Sequence, residues 1–368
     1  MTRPGPLDAH LVTAPPRGTG AFTLDVRLAA GVGEVVAVLG PNGAGKSTAL
    51  RMLAGLHPLS AGHVRLGGRS LEEPGRSIRV PAQRRGVGLV PQESLLFPHL
   101  RVRDQVAFGL RHRGADRAEA RRESTGWLER TGLGELADRR PSELSGGQAR
   151  RVAIVRALAA RPALLLLDEP LAALDVRAVL ELRSFLRHHL AHVGVPTVLV
   201  THDALDALVL ADVVVVLDAG RVEQAGRPAE VAGRPRSAHV AALVGLNLVR
   251  GTSAGHLVTM TSGTDGTGGT GEPAQVVTAT EQHGDVFCCW APGAVSVHGQ
   301  RPEGSPRNVW RGEITGMTPH GDIVRLEVAG PVSLLADVTP AAVAELDLAP
   351  AAPVWVSVKA TEVTVYPA

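Results

Sequence analysis

The sequence predicts a parallel α/β domain of the phosphate-loop class followed by a second, all-β domain. Three observations carry this reading. Gly40, Pro41, Asn42, Gly43, Ala44, Gly45, Lys46, Ser47 and Thr48 fit the pattern G-x-x-x-x-G-K-[ST], with an apolar run at 35–39 before them and helical patterning at 49–53 after them. Four leucines at 164–167 end in the acids Asp168 and Glu169, as when a buried parallel strand delivers carboxylates to the chemically active edge of such a sheet. From about Ala238 the texture changes to Gly, Thr, Val and short alternating strands.

The glycines of the first segment let the main chain curl, so that backbone N–H groups converge on an anion at a helix N-terminus. Lys46 would reach the β- and γ-phosphates of a nucleotide, and the Ser47 hydroxyl would complete a Mg²⁺ shell. The plain alternative is a glycine-rich turn that binds nothing. Composition weighs against it: of 38 Lys and Arg residues, only Lys46 and Lys359 are lysines. A lysine at this place in so arginine-biased a chain points to a need for a compact ammonium.

At 368 residues the chain has material for two or three domains. A formal net charge of +2 gives no reason to expect nucleic acid as a partner. Cys288 and Cys289 are adjacent and would point to opposite faces of a strand, a poor disulfide and no metal set, which suits a reducing compartment. The first residues lead into no apolar core of a secretory leader. No apolar run reaches the ~18–20 residues of a membrane span, and Asp206 and Asp212 break the one that comes nearest, 205–217. A soluble, cytoplasmic chain is expected.

In order, 7–12 and 21–28 read as strands, the second with alternating Phe22, Leu24, Val26 and Leu28, joined by turn chemistry at 14–20. Further strands are expected at 63–66 and 86–90. Leu95, Leu96, Phe97, Pro98, His99 and Leu100 form an apolar loop, and helical patterning runs from Val102 to about Arg140, its charges mostly a solvated face. Leu144, Ser145, Gly146, Gly147 and Gln148 lead into a helix over 149–158, which alone could be an ordinary serine-capped start. Asp175, a strand at 197–200, His202 and a hairpin-like close from Val213 to Gln224 follow. His188, His189 and His192 read as a polar helix face, because nothing completes a metal site around them.

Together and in this order, the loop 40–48, Gln92, the 144–148 segment, the acidic strand end, Asp175 and His202 resemble the ATP-binding subunit of an ABC transporter over roughly residues 7–235. The resemblance implies an ABC-type P-loop NTPase at 1–238, with antiparallel β and helical subdomains (the helical one at about 93–160), using ATP and Mg²⁺. Hydrolysis there is mostly positioning and charge neutralisation. Asp168 would order Mg²⁺ and water, and Glu169 would act as general base on the attacking water. Gln92 would sense Mg²⁺ and the γ-phosphate, and His202 would hold the γ-phosphate. Leu144, Ser145, Gly146, Gly147 and Gln148 would reach the ATP of a facing subunit, with Asp175 at the contact, so activity implies a homodimer closed around two nucleotides. The apolar loop 95–100 would dock integral-membrane permease subunits, and an extracytoplasmic substrate-binding protein would be engaged indirectly. The chain would then be peripheral, at the cytoplasmic face of the membrane. Three positions depart from the family pattern. Arg17 stands where an aromatic residue usually meets adenine, Ala172 where many relatives have Ser, and Ala149 where a polar residue is common. A guanidinium can stack on a base.

In the last third, strands are expected at 285–290, 309–314, 322–328, 332–336 and 353–358, a small C-terminal all-β OB-like barrel within 239–368, with 261–271 a mobile loop. Ser305, Arg307, Asn308 and Lys359, in a unit at about 303–368, resemble the oxyanion-binding fold appended to molybdate importer ATPases, and 83–92 with 96–99 looks like the same branch. Ser, Arg, Asn and Lys are sensible donors to a tetrahedral dianion. They are equally compatible with surface turns of a barrel that only assists dimerisation. The expected activity is therefore ATP hydrolysis driving import of molybdate or tungstate. The alternatives are a sulfate, sugar, iron or polyamine importer, a non-transport ABC ATPase, or an oxyanion-storage protein with a vestigial motor.

Overall fold

In a computed structural model of the chain, the described residues are 5–13, 22–112, 114–260 and 274–368. They fall into two compact units, Met1–Val231 and Ala232–Ala368.

The first unit is built on parallel strands in the order Val213–Asp218, Val35–Leu39, Thr197–Val200, Leu164–Asp168 and Val87–Val90. The middle strands are buried on both faces, so their sequences run apolar without alternation. The two faces are nonetheless distinct. Val36, Val38, Leu164, Leu166, Val198 and Val200 pack with the helix Lys46–Ala54, whereas Val35, Leu165, Leu167 and Leu199 pack with the helices Gly146–Ala159 and Val176–Val193. Past the hairpin of Val213–Asp218 with Arg221–Gly226, the same 11-stranded sheet continues through Asp25–Ala30, Leu7–Val12, Ala61–Leu66, Arg69–Glu73 and Ile78–Arg79.

Two sequence expectations shift. The strand expected at 21–28 runs Asp25–Ala30, because the Thr13 hydroxyl accepts the Leu24 N–H at 2.9 Å before the ladder begins. The helical stretch 102–140 is two helices, Val102–His112 and Arg117–Arg130; Asp116 caps the second by accepting the Glu119 N–H at 2.8 Å. Strands Arg69–Glu73 and Ile78–Arg79 were not expected.

The second unit is all-β and antiparallel, as an OB-like barrel requires, but it holds an internal duplication that the strand pattern alone did not suggest. Asn247, Leu248, Val249, Arg250 and Gly251 open the strand Asn247–Met260; Asn308, Val309, Trp310, Arg311 and Gly312 open Asn308–His320. Each strand then breaks register partway along, between Gly255 and Leu257 and between Ile314 and Gly316. Gln275–Trp290 and Pro353–Val358 lead into matching single turns, Pro292–Ala294 and Ala360–Glu362. The halves exchange their last strands: Val295–His298 pairs with Pro353–Val358, and Thr364–Pro367 pairs with Gln275–Trp290. They also exchange asparagine clamps. Asn247 bonds the Leu335 N–H and C=O at 2.7 and 3.0 Å, and Asn308 does the same to Val277 at 2.6 and 3.0 Å. One apolar cluster, with Trp290 stacked on Trp310 at 6.2 Å, serves both halves. The strand expected at 285–290 is thus the end of the longer Gln275–Trp290. The loop expected at 261–271 lies outside the described residues.

Candidate functional site

The strand Val35–Leu39 delivers the chain into the glycine-rich loop. Gly40 has φ 146°, and a side chain there would run into the Leu217 carbonyl, so glycine is required where the loop leaves the sheet. The helix Lys46–Ala54 has no side-chain cap on its first turn. The helices beginning at Gly146, Val176 and Ala204, by contrast, are capped by Ser145, Asp175 and Asp203. An uncapped N-terminus behind a curled glycine loop fits an anion such as a phosphate group. Lys46 is buried and donates to the Gly40 and Pro41 carbonyls at 2.7 and 2.9 Å, which holds its ammonium inside the loop. Burial lowers its pKa against the opposing pull of Glu169 and Asp168.

Strand ends bring the acids to this loop. The Ser47 hydroxyl donates to Asp168 Oδ1 at 3.2 Å, joining two of the expected metal-holding groups. Burial pushes the Asp168 carboxyl upward, with Ser47, Arg51 and Lys46 acting the other way. Hard oxygen donors side by side in a half-buried place fit Mg²⁺. Glu169 sits in the left-handed region at φ 44°, its N–H held by the Val200 carbonyl at 2.9 Å. That turn puts its carboxylate between Gln92 Nε2 at 3.4 Å and His202 Nδ1 at 3.5 Å. Lys46, Ser47, Gln92, Asp168, Glu169 and His202 therefore meet at the C-terminal edge of the parallel strands, where open α/β sheets place their ligands.

The 144–148 segment stands apart from that group. Ser145 and Gln148 form a reciprocal capping box, with the Gln148 N–H on the Ser145 hydroxyl at 3.3 Å and the Ser145 N–H on Gln148 Oε1 at 3.0 Å. Ser145, Gly147 and Gln148 line a cavity of about 330 Å³ with Asp175, Arg151, Arg177 and Glu181, and none of the phosphate-loop residues reaches it. Asp175 caps the helix Val176–Val193 through the Ala178 N–H at 2.9 Å.

Sequence reasoning missed the groups that join these parts. Arg150, on the helix that follows Ser145, bonds the Pro91 carbonyl at 2.8 Å and the Gln92 carbonyl. Arg156, nearly two turns further, holds the Leu95 and Ser94 carbonyls at 2.9 and 3.3 Å and lies 5.4 Å over the Phe97 ring. Gln105 is buried and ties the Phe97 backbone on both sides, at 3.1 and 2.6 Å. The apolar loop is thus a fixed shape, with Leu95 60% and Phe108 48% exposed beside it. Arginines at 150 and 156 read as ordinary helix charges, and no local pattern marks their partners some sixty residues away.

Arg17 lies outside the described residues. Phe22 is 42% exposed and its ring lies against Gly45 and Gly220. In the second unit, Ser305, Arg307 and Lys359 are exposed. The register pairs Asn308 with Val358, which sets Arg307 and Lys359 at the same end of the sheet. Asn308 is buried and its amide is spent on Val277, so its structural part is the clamp. Ala291 stands at the position in the first half that Lys359 occupies in the second.

Comparison with known proteins gives the family. Residues 24–172 match the family model described as ABC transporter, and residues 304–365 match the TOBE domain. The "Molybdenum import ATP-binding protein ModC" of Mycobacterium tuberculosis is 45% identical over 355 residues, covering 94% of each chain. The "Spermidine/putrescine import ATP-binding protein PotA" of Frankia alni is 47% identical over 62% of this chain and 48% of its own. The "Sulfate/thiosulfate import ATP-binding protein CysA" of Mycobacterium bovis is 46% identical over 58% of this chain and 59% of its own.

Proposed function

The chain belongs to the ABC transporter family, and on that premise we propose that it is the ATP-hydrolysing subunit of a molybdate or tungstate importer, peripheral on the cytoplasmic face of the membrane. The observation that carries the substrate is the extent of the likeness. Similarity to the molybdenum import protein covers 94% of this chain, whereas similarity to the polyamine and sulfate proteins covers 62% and 58% of it. Among the described residues no helix is long and apolar enough to cross a membrane; membership in the ABC transporter family supports assigning the translocation path to permease subunits. The exposed, rigidly held loop at 95–100 is their docking place.

In this reading the loop 40–48 wraps the phosphates and Lys46 turns its ammonium from the loop carbonyls to the β- and γ-oxygens. Ser47, Asp168 and Gln92 would hold Mg²⁺, which neutralises phosphate charge when bound. Glu169 takes the proton of the attacking water, and its fixed turn between Gln92 and His202 points the carboxylate at one place. His202 holds the γ-phosphate. Ser145, Gly146, Gly147 and Gln148 supply the N-terminal end of a 14-residue helix to the nucleotide of a second copy, with Asp175 at the contact. This explains why that segment and the phosphate loop line different places on one chain. Ser305, Arg307 and Lys359, positioned by Asn308, make the second unit the sensor of the transported oxyanion.

Glu169→Gln tests the assignment. It keeps ATP binding, lowers turnover by roughly 10²–10⁴, and traps an ATP-bound dimer visible by light scattering. Turnover near that of the parent would remove Glu169 from the mechanism.

A further inference from the structure

His202 presents a problem of positioning. Its side chain is 61% exposed, so packing does not hold the ring, yet it stands 3.5 Å from Glu169. The residues on either side of it are held instead. Thr201 is buried; its hydroxyl donates to Asp206 Oδ2 at 3.4 Å and accepts the Asp203 N–H at 3.1 Å. Asp203 Oδ1 accepts the Leu205 N–H at 2.8 Å and so heads the helix Ala204–Leu210, which carries Asp206. At the centre is Arg183, from the helix capped by Asp175. Its Nε donates to Asp206 Oδ1 at 2.8 Å, a second nitrogen bonds the same oxygen, and the guanidinium lies 3.6 Å from Asp203 Oδ2. The Arg183 and Asp206 side chains are 12% and 4% exposed.

We propose that Arg183 and Asp206 are positioning residues for His202, acting through Thr201 and Asp203 to fix the turn that aims the imidazole. A nearly buried carboxylate cannot give up its guanidinium without a large desolvation cost, so the pair has one arrangement. Both neighbours of His202 are bonded to that pair, and the backbone between them inherits its rigidity. The helix led by Asp175 and the turn bearing His202 then move as one body, so a displacement of Asp175 at a dimer contact is transmitted to the imidazole.

The proposal rests on the reading of His202 as the γ-phosphate contact, and a mutant cycle on the full chain separates the two. ATP turnover is measured for the parent, His202→Ala, Asp206→Asn and the double variant, with folding checked by circular dichroism. Asp206→Asn lowers kcat about 10- to 100-fold and leaves the KM for ATP within about twofold. On the His202→Ala background it produces no further loss, because its effect passes through the missing ring. An equal loss on both backgrounds, or a change confined to KM, overturns the inference. Loss in His202→Ala with none in Asp206→Asn also overturns it, while leaving the reading of His202 intact. Parental turnover in His202→Ala overturns that reading and the inference with it. Thr201→Val, which deletes the hydroxyl link and keeps the charge pair, must behave as Asp206→Asn does. It carries the same test if the asparagine variant does not fold.

Discussion

Arg85 offers a prediction whose size follows from the structure. Its side chain is fully buried, at 0% exposure, against Glu72 at 2%. It donates to Glu72, to the Val80 carbonyl at 2.9 Å, and to the Met52 and Leu53 carbonyls at 3.0 and 3.3 Å. The last two carbonyls close the helix that begins at Lys46, so a cation caps the C-terminal end of the phosphate-loop helix. Gly55 leaves the space for it, since a side chain there would run into the guanidinium. Arg85→Met strands a buried carboxylate, which costs about 3–5 kcal/mol. Glu72→Leu added to it removes the stranded charge and recovers most of the loss, because an apolar pair of similar volume is often as stable as a buried ion pair. Native-state hydrogen exchange over 46–54 reads this region by itself, and amide exchange there should rise roughly 10²- to 10⁴-fold in the single variant. Exchange within about fivefold of the parent, or a double variant worse than the single, would refute the reasoning.

Three further outcomes are expected. Arg17→Ala raises the KM for ATP with kcat unchanged at saturation, the mark of lost uniform binding; if Phe22→Ala does so instead, the aromatic beside Gly45 carries the base contact. Phe97→Asp abolishes pull-down of the permease while ATPase activity of the isolated chain survives, and loss of that activity would make the Phe97 ring, 4.7 Å from Phe108, a structural contact of the first unit. Calorimetric titration of the full chain with molybdate gives micromolar binding that Lys359→Ala weakens at least tenfold; unchanged binding would remove Lys359 from any oxyanion site.

What could be read from the sequence was what is local. The phosphate loop needs only neighbours in the chain: a strand, glycines, one lysine and a helix. The strand end at Asp168 and Glu169 was visible for the same reason, whereas the meeting of Gln92, Asp168 and His202, far apart in the chain, was expected only from the resemblance to the ABC ATP-binding subunit. Arg85, Arg150, Arg156 and Arg183 escaped notice because most of their partners lie far along the chain, up to 62 residues away. In a chain so rich in arginine, helical spacing makes Arg150, Arg156 and Arg183 look solvated, and Arg85 follows two other polar residues in a turn. Asn308 shows a different failure. It was read as a ligand because it stood beside Ser305 and Arg307, yet the signal for its clamp role was present in the sequence. Asn-x-x-Arg-Gly occurs twice, at 247–251 and 308–312, and the first copy lies in the one long strand the strand pattern passed over. A search for internal repeats would have found both.

The account stands most directly on one measurement: uptake of labelled molybdate in cells that lack this chain and are supplied with the parent or with Glu169→Gln. Both proteins should be present in equal amounts and both should bind ATP. The parent restores ATP-dependent molybdate uptake, excess sulfate does not compete, and Glu169→Gln restores none. Uptake by the glutamine variant at the parental rate, or a parent that restores sulfate uptake in place of molybdate, would contradict the account.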